Sequence, residues 1–189
     1  MSKLIVLLLL IMAGNNIVWS DEFYQGLQVE VKRNGRVFSI NASFDTTLTT
    51  CAAYHYLTDY EVKKQMPGVI ELLVFRQSPN KVRVELTADE PISFFSVRNK
   101  SVLEYTENPF EGITFKQLSG SSKAFEGSWH IEPNQQGNKL RYQGLWEPDT
   151  SIPLMIFDQF AKKILIKKFT SSAILAENYK DAQPSNCLR

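Results

Sequence analysis

From about Leu154 to Tyr179 the chain contains no glycine and no proline, and most of the hundred or so residues before it read as strand. That combination limits the possible folds more than any other feature. Phe157, Phe160, Ile164 and Phe169 lie along one broad apolar face, and Lys162, Lys163, Lys167 and Lys168 occupy much of the remainder. The spacing predicts an amphipathic helix with the lysines on its solvated face. At about 1.5 Å per residue it spans nearly 40 Å. A helix of that length needs a large apolar surface to lie on.

Strands supply the surface. Val69–Phe75 is an apolar segment, and Val82, Val84 and Leu86 then alternate with Lys81, Arg83 and Glu85. Ile92–Val97, Val102–Thr106 and Ile113–Leu118 follow as three further strand segments. Phe125, Gly127, Trp129 and Ile131 alternate with Glu126, Ser128, His130 and Glu132; Leu140, Tyr142, Gly144 and Trp146 alternate with Arg141, Gln143 and Glu147. A period of two is the mark of a strand with one buried face. Pro79-Asn80, Asn108-Pro109, Ser119-Gly120 and Gln136-Gly137 punctuate the run. Consecutive strands joined by short turns make an antiparallel sheet.

Two more strands precede these. Leu27, Val29 and Val31 alternate with polar residues, Asn34-Gly35 is a hairpin signal, and Val37-Phe38-Ser39-Ile40 follows it. From Thr46 the period changes to four, through Leu48, Ala52, Tyr56 and Tyr60, with Asp45 or Thr46 as the expected N-cap. This reads as a helix, or two short ones broken near Thr58-Asp59, ended by Met66-Pro67-Gly68. The sum is an α+β fold whose economical packing wraps a curved sheet around the terminal helix.

The first twenty residues stand outside that fold. Met1-Ser2-Lys3 is a short positive start, Leu4 to Ala13 is an uncharged apolar run, and Val18-Trp19-Ser20 offers a cleavage site before Asp21. The pattern predicts a signal peptide over 1–20 and a single exported domain, periplasmic or secreted, over 21–189. An uncleaved anchor is the alternative reading, but the run is shorter than the roughly 18 residues of a membrane span. Export gives the two cysteines a meaning, since an oxidising compartment favours pairing. A Cys51–Cys187 bridge would pin the tail to the first helix and contribute up to about 4–5 kcal/mol. A buried free Cys51 with a frayed Cys187 is the other reading.

Lys and Arg number 21 against 20 Asp and Glu, so bulk charge favours neither nucleic acid nor a strongly anionic surface. Two histidines and two cysteines exclude a histidine- or thiolate-rich metal site. His55 and His130 stand in no nucleophile or metal motif, and no residue is singled out as catalytic. No cofactor is expected.

Ala52-Ala53-Tyr54-His55-Tyr56-Leu57-Thr58-Asp59-Tyr60-Glu61, with Pro67 following, resembles the signature of the START-like superfamily, with its polyketide cyclase/dehydrase-like and coenzyme-Q-binding domains. Phe125-x-Gly127-x-Trp129-x-Ile131, and Leu140-x-Tyr142 followed by Pro148, match the family's last two strands. Gly137-Asn138-Lys139 departs from its usual Gly-Thr turn. The resemblance covers about 37–179. It implies a helix-grip fold: two short helices after the first family strand, a curved sheet, and a terminal helix covering a cavity for hydrophobic ligands.

Tyr60, Trp129, Tyr142, Trp146, Phe157, Phe160 and Ile164 are the candidate cavity residues. Leu57 and Tyr60 also suit packing of the short helices on the sheet, with Asp59 as a cap. Trp129, Tyr142 and Trp146 share one face, and serve equally as lining or as plain core. The expected function is binding or carriage of a hydrophobic small molecule or lipid by a monomer. No nucleic acid and at most peripheral membrane contact are expected. A cyclase/dehydratase-type enzyme using the same cavity, and an interaction module whose cavity has closed, are the alternatives.

Overall fold

The computed structural model describes Tyr24, residues 26–92, 95–150 and 154–179, and Cys187. The expected signal peptide, Met1–Ser20, lies outside the described residues. Two strands come first, β1 (Gln28–Asn34) and β2 (Val37–Thr46), followed by α1 (Thr50–Thr58) and a short 3-10 helix (Tyr60–Gln65). Six strands follow: β3 (Val69–Ser78), β4 (Lys81–Ile92), β5 (Phe95–Asn108), β6 (Gly112–Gly120), β7 (Ser122–Asn134) and β8 (Gly137–Pro148). The chain then enters α2 (Leu154–Tyr179).

All eight strands join one antiparallel sheet in the order β1-β2-β8-β7-β6-β5-β4-β3. β3 to β8 are a simple meander, and β2 pairs with β8, so that β1 and β3 form the two edges. The pairing Ala42↔Tyr142↔Trp129↔Ile113 shows how the alternation is used. Each of these residues faces the same way, so one side of the curved sheet carries a continuous apolar surface for α2. Phe44, Leu48, Val82, Ile113 and Leu140 are fully enclosed on that side.

Three sequence expectations need correction. The helix does not start at Thr46. Asp45 and Thr46 finish β2, paired with Lys139 and Asn138, and the N-cap is Thr49, whose hydroxyl accepts from the Ala52 N–H at 3.2 Å. Ile92–Val97 is not a strand of its own: Ile92 ends β4, Phe95 begins β5, and the two pair with each other. Alternation on either side is satisfied better by two long strands than by three short ones. Lys168 is not on the solvated face of α2; it is half-buried and pairs with Glu90 of β4 at 2.6 Å.

The break near Thr58-Asp59 is real. Thr58 turns its hydroxyl back onto the Tyr54 carbonyl, and Asp59 caps the 3-10 helix by accepting from the Glu61 N–H at 3.2 Å. Asn138 is buried and ties β8 to the start of α1. Its amide donates to the Leu48 carbonyl at 2.8 Å, and its oxygen accepts from the Thr50 hydroxyl at 3.3 Å. Cys51 and Cys187 are joined as a disulfide with Cα atoms 5.5 Å apart, closing 136 residues of chain.

Candidate functional site

The inner face of the sheet divides into three neighbourhoods. In the middle, Trp129 of β7 and Tyr142 of β8 meet Phe169 of α2 with ring centroids 5.8 and 5.1 Å away, and each other at 5.2 Å. Tyr142 is buried and Trp129 half-buried. Burial raises the Tyr142 hydroxyl far above the ordinary phenol range, so it remains protonated. Ala173 and Ala176 continue this contact along α2, their small side chains letting the helix lie close to the sheet.

The second neighbourhood lies under the first half of α2. Phe38 and Ala161 are buried there, against half-buried Val31, Val97, Trp146, Leu154 and Ile164. Trp146 tilts against Phe38 at 5.2 Å and donates its indole N–H to the Ser122 hydroxyl at 2.8 Å. Trp146 and Ile164 are thus brought together, and Trp146 also packs against the main core that holds Tyr142. Phe157 and Phe160 belong to this half of α2, and their side chains lie outside the described residues.

The third neighbourhood is polar, and sequence reasoning reached only one of its members. Tyr60 is buried, with its ring 4.9 Å from Tyr105, and donates its hydroxyl to Glu107 at 3.1 Å. Glu107 is itself buried and receives both guanidinium arms of Arg76 at 3.0 Å. Arg76 reaches it across β4, being paired with Val82 while Val82 pairs with Tyr105. Lys63 lies over the rings of Tyr60 and Tyr105 at 4.3 and 4.2 Å. Part of its stem reaches the surface, but its amine is buried without a hydrogen-bond partner. Burial lowers that amine to about 7. Burial, then the charge of Glu107, raises Tyr60. The sequence did carry a signal, since Glu107 shares the parity of Leu103 and Tyr105 and is an acid on an inward-facing register.

The histidines stand elsewhere. His130 is exposed, and His55 neighbours the disulfide on α1. His55 and the two sulfurs gather within 4.8 Å, but the sulfurs are bonded to each other, which leaves one imidazole as a metal ligand. Two depressions are among those on the surface of the described residues. One of about 590 Å³ opens on the outer face over Gly127 and Gly144, among Asn41, Thr114, Ser128 and Gln143. The other, about 520 Å³, lies between Tyr24, Thr47, Gln136 and Glu177. Neither is bounded by the first half of α2.

The sequence profile described as polyketide cyclase / dehydrase and lipid transport matches residues 48–165, more than half of the chain. The chain belongs to that family. It has the family's START-like helix-grip fold, and solved structures agree. The STAR-related lipid transfer protein from Xanthomonas axonopodis superposes with a TM-score of 0.68 at 15% identity, over 81% of this chain and 94% of that one. TTHA0849 from Thermus thermophilus gives 0.66 at 16%, over 76% and 97%. StfQ, a di-domain ARO/CYC of the steffimycin biosynthetic pathway, gives 0.63 at 15%, over 77% of this chain and 51% of that one. At such identities the likeness is one of fold. No curated protein matches the chain by sequence.

Proposed function

We propose that this START-like protein binds and carries a hydrophobic small molecule or lipid under the first half of α2. One observation carries the reading. The apolar contacts of α2 fall into two clusters, and they divide between Ile164 and Leu165. The later half, with Phe169, Ala173 and Ala176, belongs to the main core. The earlier half rests on a small satellite in which Val97, Leu154 and Ile164 are only half-buried, with half-buried Val31 and Trp146 shared between it and the main core. Apolar area left half-covered within a grip gains about 25 cal/mol for each further Å² removed from water, and a ligand is the means of removing it.

The experiment is uptake of a neutral hydrophobic fluorescent probe, with native mass spectrometry of protein purified from its own source. Probe uptake, a recurring bound mass, and loss of both in Ile164→Trp with little change in thermal stability are expected. An empty protein that takes up no probe would overturn the reading. A second reading, an enzyme of the cyclase/dehydratase kind, has one observation in its favour: Tyr60, Lys63 and Glu107 bring polar groups together inside the protein. Release of the bound molecule unchanged favours the carrier, and release of a converted mass favours the enzyme.

The proposal includes export. It is supported by the Met1–Ser20 pattern and by the Cys51–Cys187 disulfide, a bond that persists in oxidising compartments. Among the described residues no helix is long and apolar enough to cross a membrane. N-terminal sequencing of the exported protein should begin at Asp21; an intact Met1 would exclude cleavage.

A further inference from the structure

β1 and β3 form the two edges of the sheet, and each has one side of its backbone without a neighbouring strand. A free edge is a template for another strand, and folded proteins guard it with charged side chains, prolines or bulges. β1 is guarded. Its exposed positions are Gln28, Glu30, Lys32, Arg33 and Asn34, with no large apolar side chain among them. β3 is not. Ile70, Leu73 and Phe75 are 55, 45 and 48% exposed, three of the eight exposed large apolar side chains among the described residues.

The ladder with β4 is irregular between Val69 and Glu71 and between Arg76 and Ser78, and regular over the six residues Glu71 to Arg76. Among the described residues, no backbone hydrogen bond outside that ladder involves those six. Leu72 is buried, so alternation puts Glu71, Leu73 and Phe75 together on the outer face.

Turned end for end, this segment matches itself. With Val74 set opposite Val74 of a second copy, each Leu73 stands across from a Phe75, and each Glu71 lies beside the other copy's Arg76 and Gln77. A twofold axis normal to the sheet keeps outer face beside outer face. Within each copy, β4 places Glu85 next to Leu73 and Arg83 next to Phe75. Each row across the junction therefore runs from Glu85 through Leu73 and Phe75 to Arg83, with opposite charges at its two ends. An in-register parallel pairing would instead set Glu71 on Glu71 and Arg76 on Arg76, which repel.

We propose that two copies of this chain pair antiparallel through Glu71–Arg76 of β3 about a twofold axis at Val74, joining their sheets into one, in place of the monomer expected from the sequence. The irregular ends confine the ladder to six residues on each copy. Such an interface falls below the roughly 1,200 Å² of a standard complex, so the dimer is a weak one, with a dissociation constant of about 10–100 µM. The inference stands apart from ligand carriage, whose site lies under α2.

The test is sedimentation velocity on protein purified from its own source, from about 1 to about 200 µM, a range that brackets a weak interface. The wild type should be monomeric at the low end and rise toward twice that mass at the high end. Phe75→Lys should remain monomeric throughout, since an edge lysine blocks strand addition. Leu145→Lys is the control: Leu145 is 43% exposed on the outer face but belongs to β8, an interior strand, so that variant should still associate. Hydrogen exchange of the wild type should be slower within Glu71–Arg76 at the high concentration than at the low one, a readout that needs no variant to fold. A wild type that stays monomeric at the top concentration overturns the proposal and leaves the edge to a strand of another protein. Association that survives Phe75→Lys, or that leaves the β3 amides unprotected, overturns it as well. Loss of association in Leu145→Lys would move the contact to the outer face of the sheet and overturn the edge pairing.

Discussion

Gly127 of β7 lies directly opposite Gly144 of β8, and the rings of Phe115 and Tyr142 close over the gap. A Cβ on Gly127 would stand 2.4 Å from the Gln143 carbonyl oxygen and 2.9 Å from Phe115 Cζ; one on Gly144 would stand 2.4 Å from the Tyr142 hydroxyl. The paired absence of side chains is what lets the two rings stack at 6.1 Å.

Gly127→Ala should therefore cost about 2–3 kcal/mol, since a backbone oxygen cannot swing aside as a flexible side chain would. Ser128→Ala, one residue along and on the outer face, should stay within about 0.5 kcal/mol. Urea denaturation of the two variants checks the contrast.

Arg76 and Glu107 are unequal partners, for Arg76 is about half exposed at its side chain (52%) and Glu107 is buried (5%). Arg76→Leu leaves the buried carboxylate without its guanidinium and should cost about 3 kcal/mol. Adding Glu107→Leu to that variant should restore part of the loss, because the stranded charge is gone. A double-mutant cycle by chemical denaturation measures the coupling.

Cys51→Ser and Cys187→Ser should each lower stability by about 2–5 kcal/mol, and the double variant by the same amount, since all three lose one bridge. The loop closed spans 136 residues, so the unfolded chain gains much freedom when it opens. Thiol titration of the unreduced, denatured protein should find no free thiol. Two reactive thiols would end the idea.

Lys63 predicts a pH dependence with a definite sign. Its amine is lowered by burial from 10.5 to about 7, while burial raises Tyr60 and Tyr105 out of that window. Between these values the unfolded chain holds a proton that the folded protein lacks, so stability rises with pH across the window. Below about 7 both states hold it and the cost of burying the charge is fully present. Lys63→Met removes an unpaired buried amine and should be the more stable protein near pH 7. Its advantage should shrink as pH approaches 10. Asp59, Glu107 and Arg76 face the same amine and are shared by both proteins, so the difference isolates Lys63. Denaturation midpoints at several pH values provide the check.

Sequence alone determined the inward faces of the strands and the length of the last helix, because strand and helix periods are local and depend on neighbours two to four residues apart. Trp129, Ile131, Leu140 and Tyr142 show their inward side from parity alone. Asp59 declared itself a cap because a short acid beside a helix start has few other uses. Locally, Ile92–Val97 looked like strand, since neither glycine nor proline stands between Ile92 at the end of β4 and Phe95 at the start of β5. Asp45 and Thr46 suit a cap or a strand end equally, and the ladder with Lys139 and Asn138 decided for the strand. The polar cluster needed the fold outright. Lys63, Arg76 and Glu107 come from three elements, and their meeting depends on the register of β3 on β4 and β4 on β5. Charges at such separations meet only after the sheet has fixed which residues stand opposite, and burial then sets how strongly they act.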